Sequence, residues 1–310
     1  MRLRAALVTA LLAIACAPAR LPNEAQPPTA TRFASSLSAA FGAHEPGAVA
    51  ALFAPDADLE LIGDAHARHG RAAIEETVRE IFARYADAHL STGRIWVGDA
   101  ASVVELVFLG TRDAHPIGVA GAAVIAFDST GLVRTARVYI DVPTLIGQVE
   151  RSRLPSGVEI RAPIAAPPDT RVTLARHTPT ESANLAATDR IWARLDAHDA
   201  AGTLAPSSDD YVYDDLSGPA PLDKLATQRM VAGFLELVPD FLIADKPTYF
   251  AAGDDVITES VEHMTSRGHA VVLHGLDIKR FANGRVTREW QYANGAEALA
   301  HLLGVVVDLR

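Results

Sequence analysis

A chain of 310 residues, 49% of them hydrophobic, is long enough for two domains of ordinary size and apolar enough to bury a core in each. Its net charge of −10 argues against a nucleic-acid binder, which would carry a basic face, and 6% aromatic residues leave little for a base-stacking platform. The single cysteine stands at position 16, so the body of the chain has no disulfide.

Residues 1–19 read as an export signal. Met1–Arg4 is basic, and Ala5–Ala15 is an apolar run too short to span a bilayer. No later stretch is long and apolar enough to span one. Cys16 closes "LLAIAC", which resembles a bacterial lipobox with Ala13 in place of the usual leucine. Cleavage there would make Cys16 a lipidated N-terminus. The protein would then sit at the cell envelope, in the periplasm or on the outer membrane, touching the membrane only through its lipid. Cleavage after Ala17-Pro18-Ala19 would instead give a soluble secreted protein. Residues 20–32, rich in proline and polar residues, read as a disordered tether.

Residues 33–54 carry apolar residues at helical spacing, interrupted from Gly42 to Gly47, which predicts two helices and a turn. Residues 56–62 alternate like a short strand. Gly70 to Asp87 predicts a third helix with a stripe of Ile74, Val78, Ile81 and Phe82. Alternating or apolar runs follow, with hairpin signals at Gly98-Asp99 and Ser129–Gly131, and predict an antiparallel meander. It ends in "RVYIDVPTLIGQVE", where Arg137, Tyr139 and Asp141 share one strand face before a short helix carrying Leu145, Ile146 and Val149. Residues 151–182 hold five prolines and read as a linker, with "VEIRAPI" and "RVTLAR" as candidate edge strands. A second series follows: a helix from Ala183, the strand "DYVYDD", a helix from Leu222, and strands near 246–251, 255–266, 269–282 and 285–293.

The two series are one domain written twice. Gly131 falls on Gly284, Val133 on Val286, Tyr139 on Tyr292 and Asp141 on Asn294, at an offset of 284 − 131 = 153. Upstream the offset is 154, with Ala43-His44 on Ala197-His198 and Glu105 on Glu259. Helices followed by an antiparallel meander make each copy α+β, with domains at 33–150 and 183–310.

Three helices, a curved sheet and a closing Y-x-D-x-x-T-L-x-x-Q, here Tyr139, Asp141, Thr144, Leu145 and Gln148, resemble the SnoaL-like branch of the nuclear transport factor 2-like superfamily. The second copy offers Trp290, Tyr292, Leu302 and Gly304 at the corresponding ending. The resemblance implies two tandem cone-shaped domains, each curling a sheet around a pocket closed by helices. Related ketosteroid isomerases and polyketide cyclases use a pocket carboxylate to move a proton beside a carbonyl. That implies Asp141 as general acid/base, Tyr139 as donor to a ligand oxygen and His115 as an assisting group. Arg137, Asp214, His263, His274, Trp290, Tyr292 and Asn294 are the candidate ligand-binding residues. Arg137 beside Asp141 works against a base at neutral pH, and Asn294 cannot be one.

Each of these residues has a plainer reading. Asp141 caps the final helix by accepting from the amide of Thr144. Tyr139 and Tyr292 pack at a wall, and His115 and His89 sit in loops. Metal is not expected, since the histidines are scattered, His66 and His69 fall in a loop, and no H-E-x-x-H occurs. No G-x-S-x-G elbow and no glycine-rich phosphate loop appears, so no cofactor is implied.

Two functions stay open. One is a binding or scaffold protein with a pocket for a small, mostly apolar or carbonyl-containing molecule. The other is a cofactor-free proton-transfer enzyme of the isomerase, cyclase or dehydratase kind, centred on Asp141. Domains of this superfamily often pair through their sheets, so the resemblance also implies an intrachain pseudo-dimer.

Overall fold

The computed structural model describes residues 28–62, 67–149, 159–216 and 218–293. The first domain runs α1 (Thr29–Gly42), α2 (Pro46–Ala50), β1 (Phe53–Leu61), β2 (Arg68–His69), α3 (Gly70–Arg84), β3 (His89–Val97), β4 (Ser102–Arg112), β5 (His115–Phe127), β6 (Val133–Ile140) and α4 (Val142–Val149). After β7 (Arg171–Leu174), the second repeats the plan: α5 (Pro179–Asp196), α6 (Ala200–Leu204), β8 (Ser207–Asp215), β9 (Leu222–Asp223), α7 (Lys224–Leu237), β10 (Leu242–Ala252), β11 (Asp255–Ser266), β12 (His269–Ala282) and β13 (Arg285–Ala293). The fold is α+β, two helix-and-sheet cones in tandem. The sheets run β2-β1-β6-β5-β4-β3-β7 and β10-β11-β12-β13-β8-β9.

Of the two candidate edge strands in the proline-rich stretch, "RVTLAR" supplies one: β7 lies parallel to β3, with Arg94 opposite Arg171. "VEIRAPI" forms no strand over its described residues, but Ile164 N donates to the carbonyl of Gly118 at 3.0 Å.

The helices follow from local signals. Phe33, Leu37 and Phe41 put an apolar stripe on α1 at a spacing of four. Thr178 and Glu181 form a reciprocal capping box at the start of α5. The repeated Ala-His pair has a backbone reason. His44 (φ 55°) and His198 (φ 57°) both turn the chain left-handed after a helix, and each ring holds a carbonyl, Ala88 at 2.9 Å and Phe241 at 3.3 Å.

Each sheet has two working faces, as strand alternation requires. Along β6, Ala136, Val138 and Ile140 join the first domain's own core beneath its helices, while Tyr139 joins a second cluster that spans both sheets. There Trp96, Val124 and Tyr139 pack with Ile257, Leu276, Ile278 and Trp290. The polar contacts across this cluster are reciprocal. Tyr139 Oη donates to Glu259 at 2.8 Å, and its counterpart Tyr292 donates to Glu105, the counterpart of Glu259, at 2.5 Å. Arg137 doubles the first contact with two bonds of 2.5 Å to Glu259, and Trp96 Nε1 donates to Asp255 at 2.8 Å. Reciprocity of this kind marks an isologous interface, here between two halves of one chain.

Candidate functional site

The insides of the two cones have opposite chemistry at equivalent strand positions. The first carries Ala57, Leu59, Phe108, Ala123, Ile125 and Ala136, all within its apolar core. At the offsets of 154 and, on the last strand, 153, the second carries Tyr211, Tyr213, Glu262, Asp277, Lys279 and Glu289. The strand registers agree: Val104 faces Ala123 as Thr258 faces Asp277, and Ile125 faces Ala136 as Lys279 faces Glu289.

The first cone is closed by aromatic packing. Phe108 meets Tyr85 edge-on at 5.3 Å and Phe41 at 6.4 Å, while Phe33 meets Phe53 at 6.2 Å. The second cone has Ser207 where the first has Phe53, and encloses a cavity of about 260 Å³. Its helical side is apolar, with Trp192, Leu204, Val231, Phe234 and Phe241, and its sheet side holds the six polar residues. An apolar cleft with a few convergent polar groups is the usual form of a small-molecule site.

On the sheet side, Lys279 Nζ donates to Glu289 Oε1 at 2.6 Å and lies 3.8 Å from the ring centre of Trp192. Tyr211 Oη donates to the other Glu289 oxygen at 2.9 Å, and Tyr213 donates to Gln291. Burial, and next the nearby carboxylates, push both phenols well above their usual range, so they stay neutral donors. Asp277 is 2% exposed, and its Oδ2 has no hydrogen-bond partner among the described residues. Burial first, then Glu289 and Glu262, push its carboxyl well above the usual range despite Lys279. Glu262 is half-buried because it faces the cavity, and burial pushes it up to about 7 against a 3.0 Å hydrogen bond from Ser260. The cavity thus offers a protonated acid, an ion pair and two phenols, the parts needed to orient a polar ligand or move a proton.

The residues singled out from sequence lie mostly elsewhere. Tyr139, Arg137, Tyr292 and Trp290 stand between the two sheets, where the guanidinium of Arg94 covers the Trp290 ring at 3.6 Å. Arg137 and Tyr139 share one face of β6, and that face meets the other sheet instead of a pocket. Asp214 sits on that same side, held by Arg161 at 2.9 Å and Arg288 at 3.0 Å. Asp141 caps α4: its Oδ1 accepts from Thr144 N at 3.2 Å, in a crevice with no room for a water molecule. Burial pushes its carboxyl up to about 7, against that hydrogen bond, and its Oδ2 is unpartnered. His115 and His89 are exposed at strand ends, and His263 is exposed on β11. Of the whole set, His274 lines the cavity. Cys16, His66 and Asn294 lie outside the described residues. Among the described residues, no group of three or more His, Cys, Asp or Glu side chains is placed to hold a metal.

Sequence reasoning missed Asp277, Lys279, Glu289 and Glu262. A signal was present in "LHGLDIKRF", where Asp277 and Lys279 alternate with Leu276 and Ile278 on a strand otherwise suited to burial on both faces.

A family model for the SnoaL-like domain matches residues 34–135 and again 188–289. No curated protein matches the chain. Similar solved structures each cover less than half of it. AclR from Streptomyces galilaeus is 19% identical over 39% of this chain and 95% of its own, with a TM-score of 0.36. A LEH-like epoxide hydrolase from M. tuberculosis is 20% identical over 41% and 93%, with a TM-score of 0.35. A nuclear transport factor 2-like protein from Burkholderia pseudomallei is 15% identical over 39% and 97%, with a TM-score of 0.36.

Proposed function

The chain belongs to the SnoaL-like family twice over, a family that includes ligand-binding proteins as well as cyclases and isomerases, and from that premise we propose that it binds a small molecule in its second domain alone. The first domain is the scaffold. One observation carries this reading: the cone that is packed with phenylalanine in the first copy is an open cavity of about 260 Å³ with a polar floor in the second. Its ligand presents an apolar body to Trp192, Phe234 and Phe241 and a polar end to Asp277 and Glu262. The first domain supports the back of that floor, because Arg137 and Tyr139 hold Glu259 on the outward face of β11.

The test is a thermal-shift panel of small neutral and charged compounds on the chain from residue 20 onward. A ligand at about 100 times its Kd adds about 2.7 kcal/mol of stability. Ser207→Phe, which gives the second cone the residue of the first, should abolish the response. A shift that persists in that variant places the ligand elsewhere and overturns the reading.

A second reading rests on the unpartnered Asp277 oxygen. A buried neutral carboxyl beside the Lys279–Glu289 pair and Tyr211 has the makings of a proton-transfer site without a cofactor. In it Asp277 takes the acid–base role that the sequence suggested for Asp141. With a turned-over ligand in hand, Asp277→Asn should lose the rate by at least about 100-fold while binding persists. An unchanged rate excludes the mechanism.

Export belongs to the same proposal and rests on the leader sequence ending at Cys16. Cys16→Ser should release the protein from membranes; a wild type already soluble would exclude the lipid anchor.

A further inference from the structure

Resting on the reading of the second cone as the binding site, we propose that its ligand is an alkyl- or arylamine, whose ammonium head sits over Gly275 between Ser260, Glu262 and Asp277.

The niche is built by the strand pattern. On the inner face of β11 and β12, Ser260 faces Gly275, with Asp277 and Glu262 to either side of that pair. A Cβ at Gly275 would lie 3.1 Å from Ser260 Oγ, 3.5 Å from Glu262 Oε1 and 3.8 Å from Asp277 Oδ2. The missing side chain therefore leaves the Gly275 backbone uncovered beside three oxygens, so a ligand head can approach it more closely than any side chain there would allow. Asp277 is 2% exposed, and its Oδ2 has no hydrogen-bond partner among the described residues. Glu262 Oε1 accepts only from Ser260 in the described contacts, and the serine oxygen keeps lone pairs free.

Charge selects the head group. The cavity wall carries four carboxyls, Asp215, Glu262, Asp277 and Glu289, against one lysine. Lys279 is committed to Glu289 at 2.6 Å and to the face of Trp192. The nearest lysine is thus already paired, and burial pushes Asp277 well above the usual carboxyl range and Glu262 up to about 7, so near pH 8 Asp277 is the acid that keeps its proton in the empty site. An ammonium has three donors and no acceptor, which matches three acceptor oxygens, and its charge favours the ionised form of Asp277 beside the Glu262 carboxylate. Binding must then expel a proton from the site. The charged and titratable groups around the niche are Lys279 on β12, Glu289 on β13, Tyr211, Tyr213 and Asp215 on β8, and Asp196 at the end of α5, with His274 at the cavity wall.

Cyclohexylamine and cyclohexanol separate the outcomes, since they share a body and differ in the head. Calorimetry on the mature chain at about pH 8 should show the amine binding at least about tenfold more tightly, with that margin vanishing near about pH 5. Runs in two buffers of different ionisation heat should show close to one proton released per amine bound and none for the alcohol. Gly275→Ala and Glu262→Gln should each remove the preference; Asp277→Asn, which keeps shape, guards against a folding artefact in either. Equal affinity for the two probes, or amine binding without proton release, overturns the niche and leaves the cavity reading intact. Failure of both probes at millimolar concentration also overturns it, while the broader compound panel decides the cavity reading separately.

Discussion

The two cones differ in what their helices close over, whereas the two backs keep one tyrosine and one glutamate in common. At six equivalent positions the first cone holds Ala57, Leu59, Phe108, Ala123, Ile125 and Ala136, and the second holds tyrosines, acids and a lysine. Across the backs of the sheets, Glu105 and Tyr139 in one copy answer Glu259 and Tyr292 in the other, each tyrosine bonded to the opposite glutamate. Face alternation in a strand lets these two histories separate, because odd and even residues answer to different neighbours. The lesson is that similarity between the repeats reports the contact between them. Divergence between them marks the cone proposed here to bind a ligand.

The sharpest way to break the comparison is to exchange the cone fillings. Phe108 is buried against Phe41 and Tyr85, so Phe108→Ala should cost about 3–5 kcal/mol in urea unfolding. The counterpart change, Glu262→Phe, replaces a carboxyl that burial disfavours by an apolar ring beside Phe234 and Phe241. It should be neutral or stabilising by about 1 kcal/mol, and it should abolish the ligand response. A large loss of stability at Glu262 would mean that the second cone is a polar core and not a site.

The back-to-back contact predicts the next largest effect. Glu259 is 1% exposed and satisfies both Arg137 and Tyr139. Glu259→Ala leaves a partly buried guanidinium without its partner and should cost about 3 kcal/mol. Tyr139→Phe removes one hydrogen bond from the same group and should cost about 1 kcal/mol. Both losses should appear in a single unfolding transition shared by the two domains; separate transitions would argue against their mutual support.

Stability should also depend on pH in a direction set by Glu262 and Asp141, both pushed up to about 7 by burial. In the unfolded chain these acids lose their protons near the ordinary carboxylate range, so between there and about 7 the folded state holds more protons. Their favourable contribution is complete below the unfolded value and is lost as pH rises through about 7, at no more than about 1.4 kcal/mol per pH unit for each group. The melting temperature should therefore fall from about pH 5 to about pH 8. Glu262→Gln should flatten that slope, and a slope left unchanged would mean that its carboxyl ionises freely in the cavity.

Much of this fold was legible from spacing alone. The stripe Ile74, Val78, Ile81 marked α3, and the turn signal at Gly98-Asp99 marked the β3–β4 hairpin, because both depend on neighbours within a few residues. The paired Glu105 and Glu259 and the paired tyrosines were visible as a repeat. Their purpose was not, since a period of two says that Arg137 and Tyr139 share a face and is silent on whether that face meets helices or a second sheet. The site residues were overlooked for a related reason. Asp277 and Lys279 match nothing in the first copy, and comparison by resemblance passes over positions that disagree. What marks them in the sequence is a change of polarity between aligned copies, Ala123 to Asp277 and Ile125 to Lys279.

The smallest expected effect tests the residue that the sequence made most prominent. Asp141 follows β6, accepts from Thr144 N at 3.2 Å and lines a crevice too narrow for water. Asparagine caps a helix about as well as aspartate, and the second copy carries Asn294 at the equivalent position. Asp141→Asn should thus change stability by no more than about 0.5 kcal/mol at low pH, where the aspartate is protonated. Above about pH 7 it should stabilise slightly, because the buried group no longer has a charge to acquire. Asp141→Ala removes the cap and should cost about 1 kcal/mol. Neither change should alter the response to any ligand that Ser207→Phe abolishes. A ligand response lost in Asp141→Asn but kept in Ser207→Phe would reverse the assignment of the two cones, making the first domain the site and the second its support.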